Sequence, residues 1–141
     1  MKIFLITILI FLSINQVSAQ TGTVVVEISG VASNKGLVQI ALHNNGNNFP
    51  KSKKPYKTAS PRAYEEGLTY TFRDVVPGEY AVTVYHDENS NNKLDRYFFG
   101  PPKENYGFSR NIYHTFSPPT FDEVKFKLNE DKIMILKIRL K

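Results

Sequence analysis

The chain has 141 residues, with 18 Lys and Arg against 13 Asp and Glu, a formal charge of +5 at pH 7, and no cysteine. A positive excess this small, without a basic face interleaved with aromatic residues, argues against nucleic-acid binding. Without cysteine no disulfide can form, so stability must come from a hydrophobic core, from long-range strand pairing or from a bound metal ion.

Residues 1–19 are typical of a secretory signal peptide. Lys2 supplies a positive charge, residues 3–14 form an apolar run, and Val17 and Ala19 suit the cleavage pocket. The alternative is an uncleaved membrane anchor, but the run is shorter than the ~20 residues that a membrane-spanning helix needs. We expect cleavage after Ala19, export to the periplasm, the outer surface or the exterior, and no stable membrane anchor in the mature chain.

Alternating apolar and polar residues predict two strands near the start of the mature chain, over residues 23–28 and 38–43, separated by a turn at residues 33–36. His43 falls on the outer face of the second strand. We therefore expect it to be a solvent-exposed histidine and not a metal ligand. The apolar residues of the two inner faces are Val24, Val26, Ile28, Val38, Ile40 and Leu42.

The middle of the chain predicts an exposed connection followed by two stronger strands. Residues 44–55 are rich in Asn, Gly, Lys and Pro and lack an apolar period, and only a weak edge strand is expected over residues 56–64. Strands over residues 68–73 and 80–86 flank a Val-Pro-Gly-Glu-Tyr turn. This pattern predicts a hairpin in which Gly78 has the positive φ of a type II turn.

The last third of the chain predicts two more strands, over residues 124–128 and 133–140, after a long aromatic-rich segment, residues 96–121, without a sustained period. No stretch has a helical period. The fold class expected for residues 20–141 is therefore all-β, a single small antiparallel β-sandwich of about seven strands.

One loop carries a metal-binding pattern. Oxygen-bearing side chains stand at positions 1, 3, 5 and 9 of Asp87–Asp95, and position 7 can offer a backbone carbonyl. Calcium takes 6 to 8 oxygen ligands at roughly 2.3 to 2.6 Å, and alternate residues of a tight loop can turn their oxygens to one centre. The predicted ligands are Asp87, Asn89, Asn91, Lys93 and Asp95.

The loop matches the first half of an EF-hand loop and departs from it twice. Asn92 replaces the usual glycine at position 6, which is tolerable because Asn enters the left-handed region readily. Phe98 stands at position 12 in place of the bidentate Glu. The alternative is an ordinary Asn-rich turn whose side chains bond their own backbone. We expect a structural calcium site of modest affinity, ~10⁻⁴ to 10⁻³ M.

Two longer blocks extend the pattern of this loop. They are Phe99-Gly100-Pro101-Pro102-Lys103-Glu104-Asn105-Tyr106-Gly107-Phe108-Ser109 and Pro118-Pro119-Thr120-Phe121-Asp122. With the run from Tyr85 to Asp95, and with Lys35-Gly36-Leu37-Val38 and Pro77-Gly78-Glu79-Tyr80-Ala81, they resemble a bacterial secreted family, domain of unknown function 2141. The resemblance implies an exported protein with a transthyretin-like or immunoglobulin-like sandwich and no defined activity. Asn92 departs from it, because a glycine is usual there.

The aromatic segment allows two interpretations. Its rings can fix a long irregular connection across a sheet. They can also form a platform for a sugar or peptide ligand, with Tyr106 and Phe108 as the rings to test. His86 is a third candidate for ligand binding, although it shares the inner face of its strand and is expected to close the core and bond the loop that follows.

No catalytic motif is present, so we expect a binding or structural module more than an enzyme. A catalytic serine elbow, a cysteine nucleophile, a His-Glu-x-x-His motif and a phosphate-binding loop are all absent. The expected partner is a glycan or an envelope protein. The alternatives are a small metal-assisted hydrolase of envelope material, for which His86 and His114 would have to converge with a carboxylate, and an accessory subunit of a surface assembly.

Overall fold

A computed structural model describes residues 20–141, which form two β-sheets packed face to face. The predicted signal peptide lies outside the described residues. The strands are β1 (Gly22–Ser29), β2 (Leu37–His43), β3 (Lys57–Ala59), β4 (Leu68–Val75), β5 (Gly78–Asp87), β6 (Tyr106–Phe108), β7 (Phe126–Leu128) and β8 (Ile133–Arg139). The all-β sandwich predicted from the sequence is confirmed, with eight strands where about seven were expected.

The smaller sheet has the strand order β4-β1-β8. Strand β1 is antiparallel to β4 but parallel to β8. The expectation of a purely antiparallel sandwich is therefore wrong at this one pairing. Its cause is the connectivity: β1 opens the domain and β8 closes it, so the chain has crossed between the sheets several times before β8 returns beside β1.

The larger sheet is built around β5, its longest strand. One edge of β5 pairs with β2, which in turn pairs with β3. The other edge pairs with β6 near its carboxyl end and with β7 near its amino end. All of these pairings are antiparallel. The end of β5, Asp87, pairs with Leu37 of β2, while β6 on the other edge ends opposite Tyr85.

The core lies between the sheets and consists of the residues whose alternation predicted it. The inner residues of β1 and β2 are at most 3% exposed. Burial of each such aliphatic side chain contributes about 1.5 to 3 kcal/mol. The inward face predicted for the last strand is confirmed by Leu136, Ile138 and Leu140, while Ile133 and Ile135 on its other face are exposed.

The predicted hairpin of β4 and β5 is wrong. These two strands belong to different sheets, and the chain crosses between the sheets at Val76 and Pro77. Gly78 has no positive φ, and the Tyr80 hydroxyl donates to the Val76 carbonyl oxygen at 2.6 Å. Alternation identifies the inner face of each strand but not its partner, so a hairpin predicted for two consecutive strands rests only on their closeness in the sequence.

The segment expected to lack regular structure contains β6, a 3-10 turn at Ser109–Asn111 and the start of a one-turn helix, α1 (Phe121–Val124). Thr120 caps the amino end of α1, and its N–H donates to Glu123 Oε2 at 2.7 Å. This bond satisfies a backbone N–H that has no acceptor within the helix. Three-residue elements are too short to show a period. No helix in residues 20–141 is long and apolar enough to cross a membrane.

His43 is buried, which corrects the prediction that it is exposed. Only 3% of the residue is accessible, and its Nε2 lies 3.0 Å from Thr83 Oγ1. The ring of Phe49, from the connection after β2, packs edge-on against the imidazole with centroids 5.1 Å apart. The outer face of this sheet is thus covered locally by a loop that the strand pattern cannot show. Burial lowers the pKa of His43 from 6.5 to about 4.

Candidate metal site

The acidic loop, Asp87–Asp95, begins at the last residue of β5. Asp87 is fully buried, and its carboxylate accepts the backbone N–H groups of Asn91 at 3.0 Å and Asn92 at 2.8 Å. Gln39 of β2 donates its side-chain amide to Asp87 Oδ2 at 3.0 Å and to Asn92 Oδ1 at 3.0 Å. The start of the loop is therefore wound around one buried carboxylate, which accepts three hydrogen bonds from neutral donors.

The other half of the predicted ligand set gathers on Asp95. The side-chain amide of Asn89 donates to Asp95 Oδ2 at 2.8 Å, and that of Asn91 donates to Asp95 at 3.0 and 3.2 Å. These hydrogen bonds lower the pKa of Asp95 below its usual 3.8. Four of the five predicted ligand residues, Asp87, Asn89, Asn91 and Asp95, are thus connected by direct hydrogen bonds. The fifth, Lys93, donates its N–H to Asn91 Oδ1 at 2.8 Å.

The backbone of the loop has the left-handed residues that a tight winding needs. Asn92 adopts φ 60°, as expected for a position where glycine is usual, and Ser90 adopts φ 58°. Asn89 Oδ1 accepts the N–H of Asn91 at 3.1 Å, which is an Asx-turn. Side-chain bonds to the loop's own backbone, the alternative weighed for this sequence, are therefore present.

Glu104 is part of the site and was not predicted as a ligand-loop residue. One carboxylate oxygen accepts the N–H of Glu88 at 3.1 Å, and the other accepts the N–H of Asp95 at 2.9 Å. Glu88 in turn accepts a hydrogen bond from the Ser33 hydroxyl at 2.7 Å. Glu104 joins the two ends of the loop from outside, and its nine-residue separation from Asp95 gives no local signal.

The site concentrates negative charge. Burial raises the pKa of Tyr85 to about 12, and the neighbouring carboxylates of Asp87, Glu104 and Asp95 contribute in the same direction. Among residues 20–141 no three Asp, Glu, His or Cys side chains are grouped to hold a metal ion. Any cation bound here therefore depends on the amide oxygens of Asn89 and Asn91 in addition to the carboxylates.

His86 lies under the loop, fully buried. Its Nδ1 accepts the N–H of Ala32 at 3.2 Å, so Nε2 carries the proton and donates to the Lys35 carbonyl oxygen at 2.7 Å. The inward position is as predicted, but the loop that it bonds precedes β2 and does not follow β5. Both ring nitrogens are used for structure.

Gly36 allows the loop before β2 to lie against the backbone at the start of the acidic loop. It has φ 72°, and a Cβ atom there would overlap the carbonyl oxygens of Asp87 and Glu88. Only glycine combines this φ with this approach. The segment from Lys35 to Gly36 and the start of the acidic loop are therefore one packed unit.

The two aromatic candidates differ in accessibility. Phe108 is 5% exposed, while Tyr106 is half-buried. Their rings pack against each other and against Tyr113, with centroids 5.7 to 6.2 Å apart. Phe108 offers no free face to a ligand. Phe108, Tyr106 and Tyr113 pack together on the larger sheet, whereas other rings of the same segment are exposed: Tyr97, Phe98, Phe99 and Phe116.

The residues weighed for hydrolysis do not converge. His86 bonds only backbone groups near β2, whereas His114 Nε2 lies 2.9 Å from Glu123 Oε1 at the start of α1. The two histidines share no partner and no carboxylate. The geometry required for a shared general base and acid is therefore not present in residues 20–141.

These features define a small two-sheet β-sandwich with an Asp- and Asn-rich loop at the end of its longest strand. The chain belongs to a family described as an uncharacterised protein conserved in bacteria (DUF2141), which matches residues 26–135. The resemblance noted from the sequence is confirmed, and the match includes the whole acidic loop. Neither the curated proteins nor the solved structures contain a match to the chain.

Proposed function

We propose that this protein is a bacterial binding or structural module that works outside the cytoplasm, and that calcium stabilises its acidic loop. The observation that supports the proposal is the direct linkage of Asp87, Asn89, Asn91 and Asp95 around one loop. All four side chains carry oxygen, the ligand atom that calcium prefers.

Cation binding requires the side-chain amides of Asn89 and Asn91 to turn, because their N–H groups point at Asp95. Each amide oxygen has two lone pairs, so Asn89 Oδ1 and Asn91 Oδ1 retain one after accepting a backbone N–H. The amide N–H groups now supply to Asp95 the positive partial charge that a cation would supply. Ligands on this chain would be Asp87, Asn89, Asn91, Asp95 and the Lys93 carbonyl, and the ion would stabilise the loop without taking part in chemistry.

The extracytoplasmic location is supported by residues 2–19, with their charge, short apolar run and cleavage pattern. The expected partner is a glycan or an envelope protein that contacts the loops at this end of the sandwich. Of the predicted aromatic pair, Tyr106 is the accessible ring.

The test is thermal unfolding of residues 20–141 in EDTA and in 5 mM calcium. An ion that binds only the folded state with a Kd of ~10⁻⁴ to 10⁻³ M raises Tm by about 3 to 8 °C at this concentration. Asp95→Asn removes one ligand charge from a partly exposed position and should abolish most of the rise. Asp131→Asn, in the exposed turn before β8 where φ is 52°, is the matched control and should retain it.

Magnesium at the same concentration should give a smaller rise, because it demands a tighter octahedral shell and keeps its waters. An unchanged Tm on addition of calcium to the wild-type protein would contradict the proposal. The acidic loop would then be an Asn-rich turn held by its own backbone.

A further inference from the structure

Three consecutive aromatic residues project into solvent immediately after the acidic loop. Tyr97, Phe98 and Phe99, here called the aromatic tip, are 59%, 92% and 87% exposed. The two Phe rings contact each other edge to face, with centroids 4.6 Å apart, and so form one apolar point. Large aromatic side chains are usually buried, and a contiguous exposed group of them marks an interaction surface.

The base of the aromatic tip is held in place. Arg96 and Pro102 form an isolated β-bridge, and the Lys103 N–H donates to the Asp95 carbonyl oxygen at 2.8 Å. The Asp95 N–H is fixed in turn by Glu104 at 2.9 Å. The aromatic tip is therefore a short closed loop held away from the sandwich.

Three basic residues flank the aromatic tip in the sequence. Lys93, Arg96 and Lys103 are exposed, and none of them forms a salt bridge with any residue from 20 to 141. The neighbouring carboxylates Asp95 and Glu104 accept hydrogen bonds from amide N–H groups, and Lys93 and Lys103 lie near enough to Asp95 to act on its charge. The aromatic tip is thus an apolar point next to three exposed cations, at the edge of the acidic loop.

We propose that the aromatic tip inserts into the interfacial region of a bilayer that contains anionic lipids, with Lys93, Arg96 and Lys103 on the headgroups. Aromatic rings favour the level of the headgroups, and juxtamembrane Lys and Arg are attracted to anionic lipid surfaces. A protein partner would need a pocket shaped to three projecting rings. A bilayer accepts a convex apolar point without shape complementarity, and the three exposed cations complement its negative surface.

This inference rests on the extracytoplasmic location in the proposed function, because the chain must meet an envelope membrane. It does not rest on calcium. The contact would be peripheral and reversible, since three rings and three cations provide far less burial than a spanning helix. Attraction between exposed charges and the membrane should also weaken as salt shortens the Debye length.

The experiment is co-sedimentation of residues 20–141, which contain every strand of both sheets, with lipid vesicles in EDTA. Removal of residues 1–19 excludes lipid binding by their apolar run, and EDTA excludes calcium bridges to the lipid. One set of vesicles is 70% phosphatidylcholine and 30% phosphatidylglycerol, and the other is phosphatidylcholine alone. We expect at least tenfold stronger partitioning to the anionic vesicles, with a fall of about tenfold between 0.05 and 0.5 M salt.

Two variants separate the contribution of the aromatic rings to vesicle partitioning from that of the basic residues. Phe98→Ser with Phe99→Ser should lower partitioning at least tenfold, and Lys93→Gln with Arg96→Gln and Lys103→Gln should remove the preference for anionic vesicles. Phe116→Ser is the matched control, because Phe116 is 99% exposed in the connection that leads to α1, away from the aromatic tip. It should bind as the wild type does.

All of these side chains are exposed, so the variants should unfold at the wild-type temperature. Equal partitioning of the wild type and the double Ser variant, or no preference for anionic vesicles, would overturn the inference. A concentration-dependent dimer in sedimentation velocity that disappears in the double Ser variant, without vesicle binding, would also overturn it and assign the aromatic tip to self-association. The calcium-dependent Tm shift is independent of all these outcomes.

Discussion

The Oε2 atom of Glu104 lies 2.9 Å from the backbone nitrogen of Asp95. The other oxygen of the same carboxylate accepts the N–H of Glu88 at 3.1 Å, so one side chain satisfies donors at both ends of the acidic loop. Hydrogen bonds to a charged group contribute roughly 1.5 to 3 kcal/mol each when buried, and less at a partly exposed site. We expect Glu104→Ala to lower the free energy of unfolding by about 2 kcal/mol in urea denaturation.

The control for this prediction is Glu130→Ala. Glu130 is exposed in the turn before β8, and its side chain makes no hydrogen bond within residues 20–141. Its replacement should change stability by less than about 0.5 kcal/mol. Equal effects of the two substitutions would show that Glu104 does not hold the loop.

The faces of the strands could be predicted from the sequence because alternation depends only on which residues are apolar. Val24, Val26 and Ile28 of β1 are buried as predicted, and so is His86 of β5. The pairing of strands depends on contacts between distant segments. The parallel pairing of β1 with β8 and the crossing between sheets at Val76 therefore had no local signal.

In the candidate site too, local sequence pattern predicted some of the residues, and tertiary contacts brought in others. The spacing of Asp87, Asn89, Asn91 and Asp95 predicted ligands of one calcium ion, which stays a prediction. The structure links the four residues by hydrogen bonds. Glu104 was not predicted to hold the acidic loop, because a tertiary contact brings its carboxylate there. His43 was predicted to be exposed but is buried, because the ring of Phe49, six residues further along the chain, packs over it.

Gly36 gives a second prediction, about the packing beneath the acidic loop. A Cβ at this position would overlap the carbonyl oxygens of Asp87 and Glu88, and φ 72° is unfavourable for alanine. We expect Gly36→Ala to cost about 2 to 4 kcal/mol, measured by urea denaturation, because backbone strain and displacement of the loop add together. The calcium-dependent Tm rise should shrink as well.

Gly78→Ala is the control glycine substitution. Gly78 has no positive φ, and a Cβ there would come no closer than 3.5 Å to the Tyr80 ring. Gly78 lies at the start of β5, whose backbone conformation alanine can adopt. Because alanine lowers the conformational entropy of the unfolded chain, stability should be unchanged or higher by up to about 1 kcal/mol. A loss at Gly78 equal to that at Gly36 would contradict the packing argument.

His86 provides a third prediction. Its replacement by Leu leaves the N–H of Ala32 and the carbonyl of Lys35 without their partner at a fully buried site. Each unsatisfied buried group costs about 1 to 3 kcal/mol, so His86→Leu should lower the free energy of unfolding by about 2 to 4 kcal/mol. His114→Leu, which removes a partly exposed contact with Glu123, should cost less than about 1 kcal/mol. A neutral His86→Leu would show that these backbone groups find other partners.

His43 predicts the response to mild acid. Its Nε2 lies 3.0 Å from Thr83 Oγ1, while within residues 20–141 its buried Nδ1 has no hydrogen-bond partner. A protonated imidazole would bury a second N–H and a charge without compensation, which is why burial lowers the pKa of His43 from 6.5 to about 4. The unfolded chain therefore binds a proton at this residue at a higher pH than the folded chain does.

Mild acid should therefore destabilise the folded protein through His43. The contribution of His43 to stability is complete above pH 6.5 and is lost as the pH falls towards about 4, because protonation then favours the unfolded state. The total loss over this window is on the order of 3 kcal/mol, with a slope of up to about 1.4 kcal/mol per pH unit. Urea denaturation at a series of pH values measures it. The pKa values of Asp95 and Glu123 are also lowered, so these carboxylates contribute to stability as well. Their contributions are lost in more acidic solution, as the pH falls below the ordinary values of 3.8 and 4.5.

His43→Leu isolates this contribution. Leu keeps the apolar contact with Phe49 but has no titratable group, so the variant should lose much less stability than the wild type between pH 7 and pH 4.5. His114→Leu removes an exposed histidine and should preserve the wild-type slope. Parallel pH profiles for the wild type and His43→Leu would contradict the prediction, because a buried neutral imidazole at this position requires the two curves to diverge below pH 6.5.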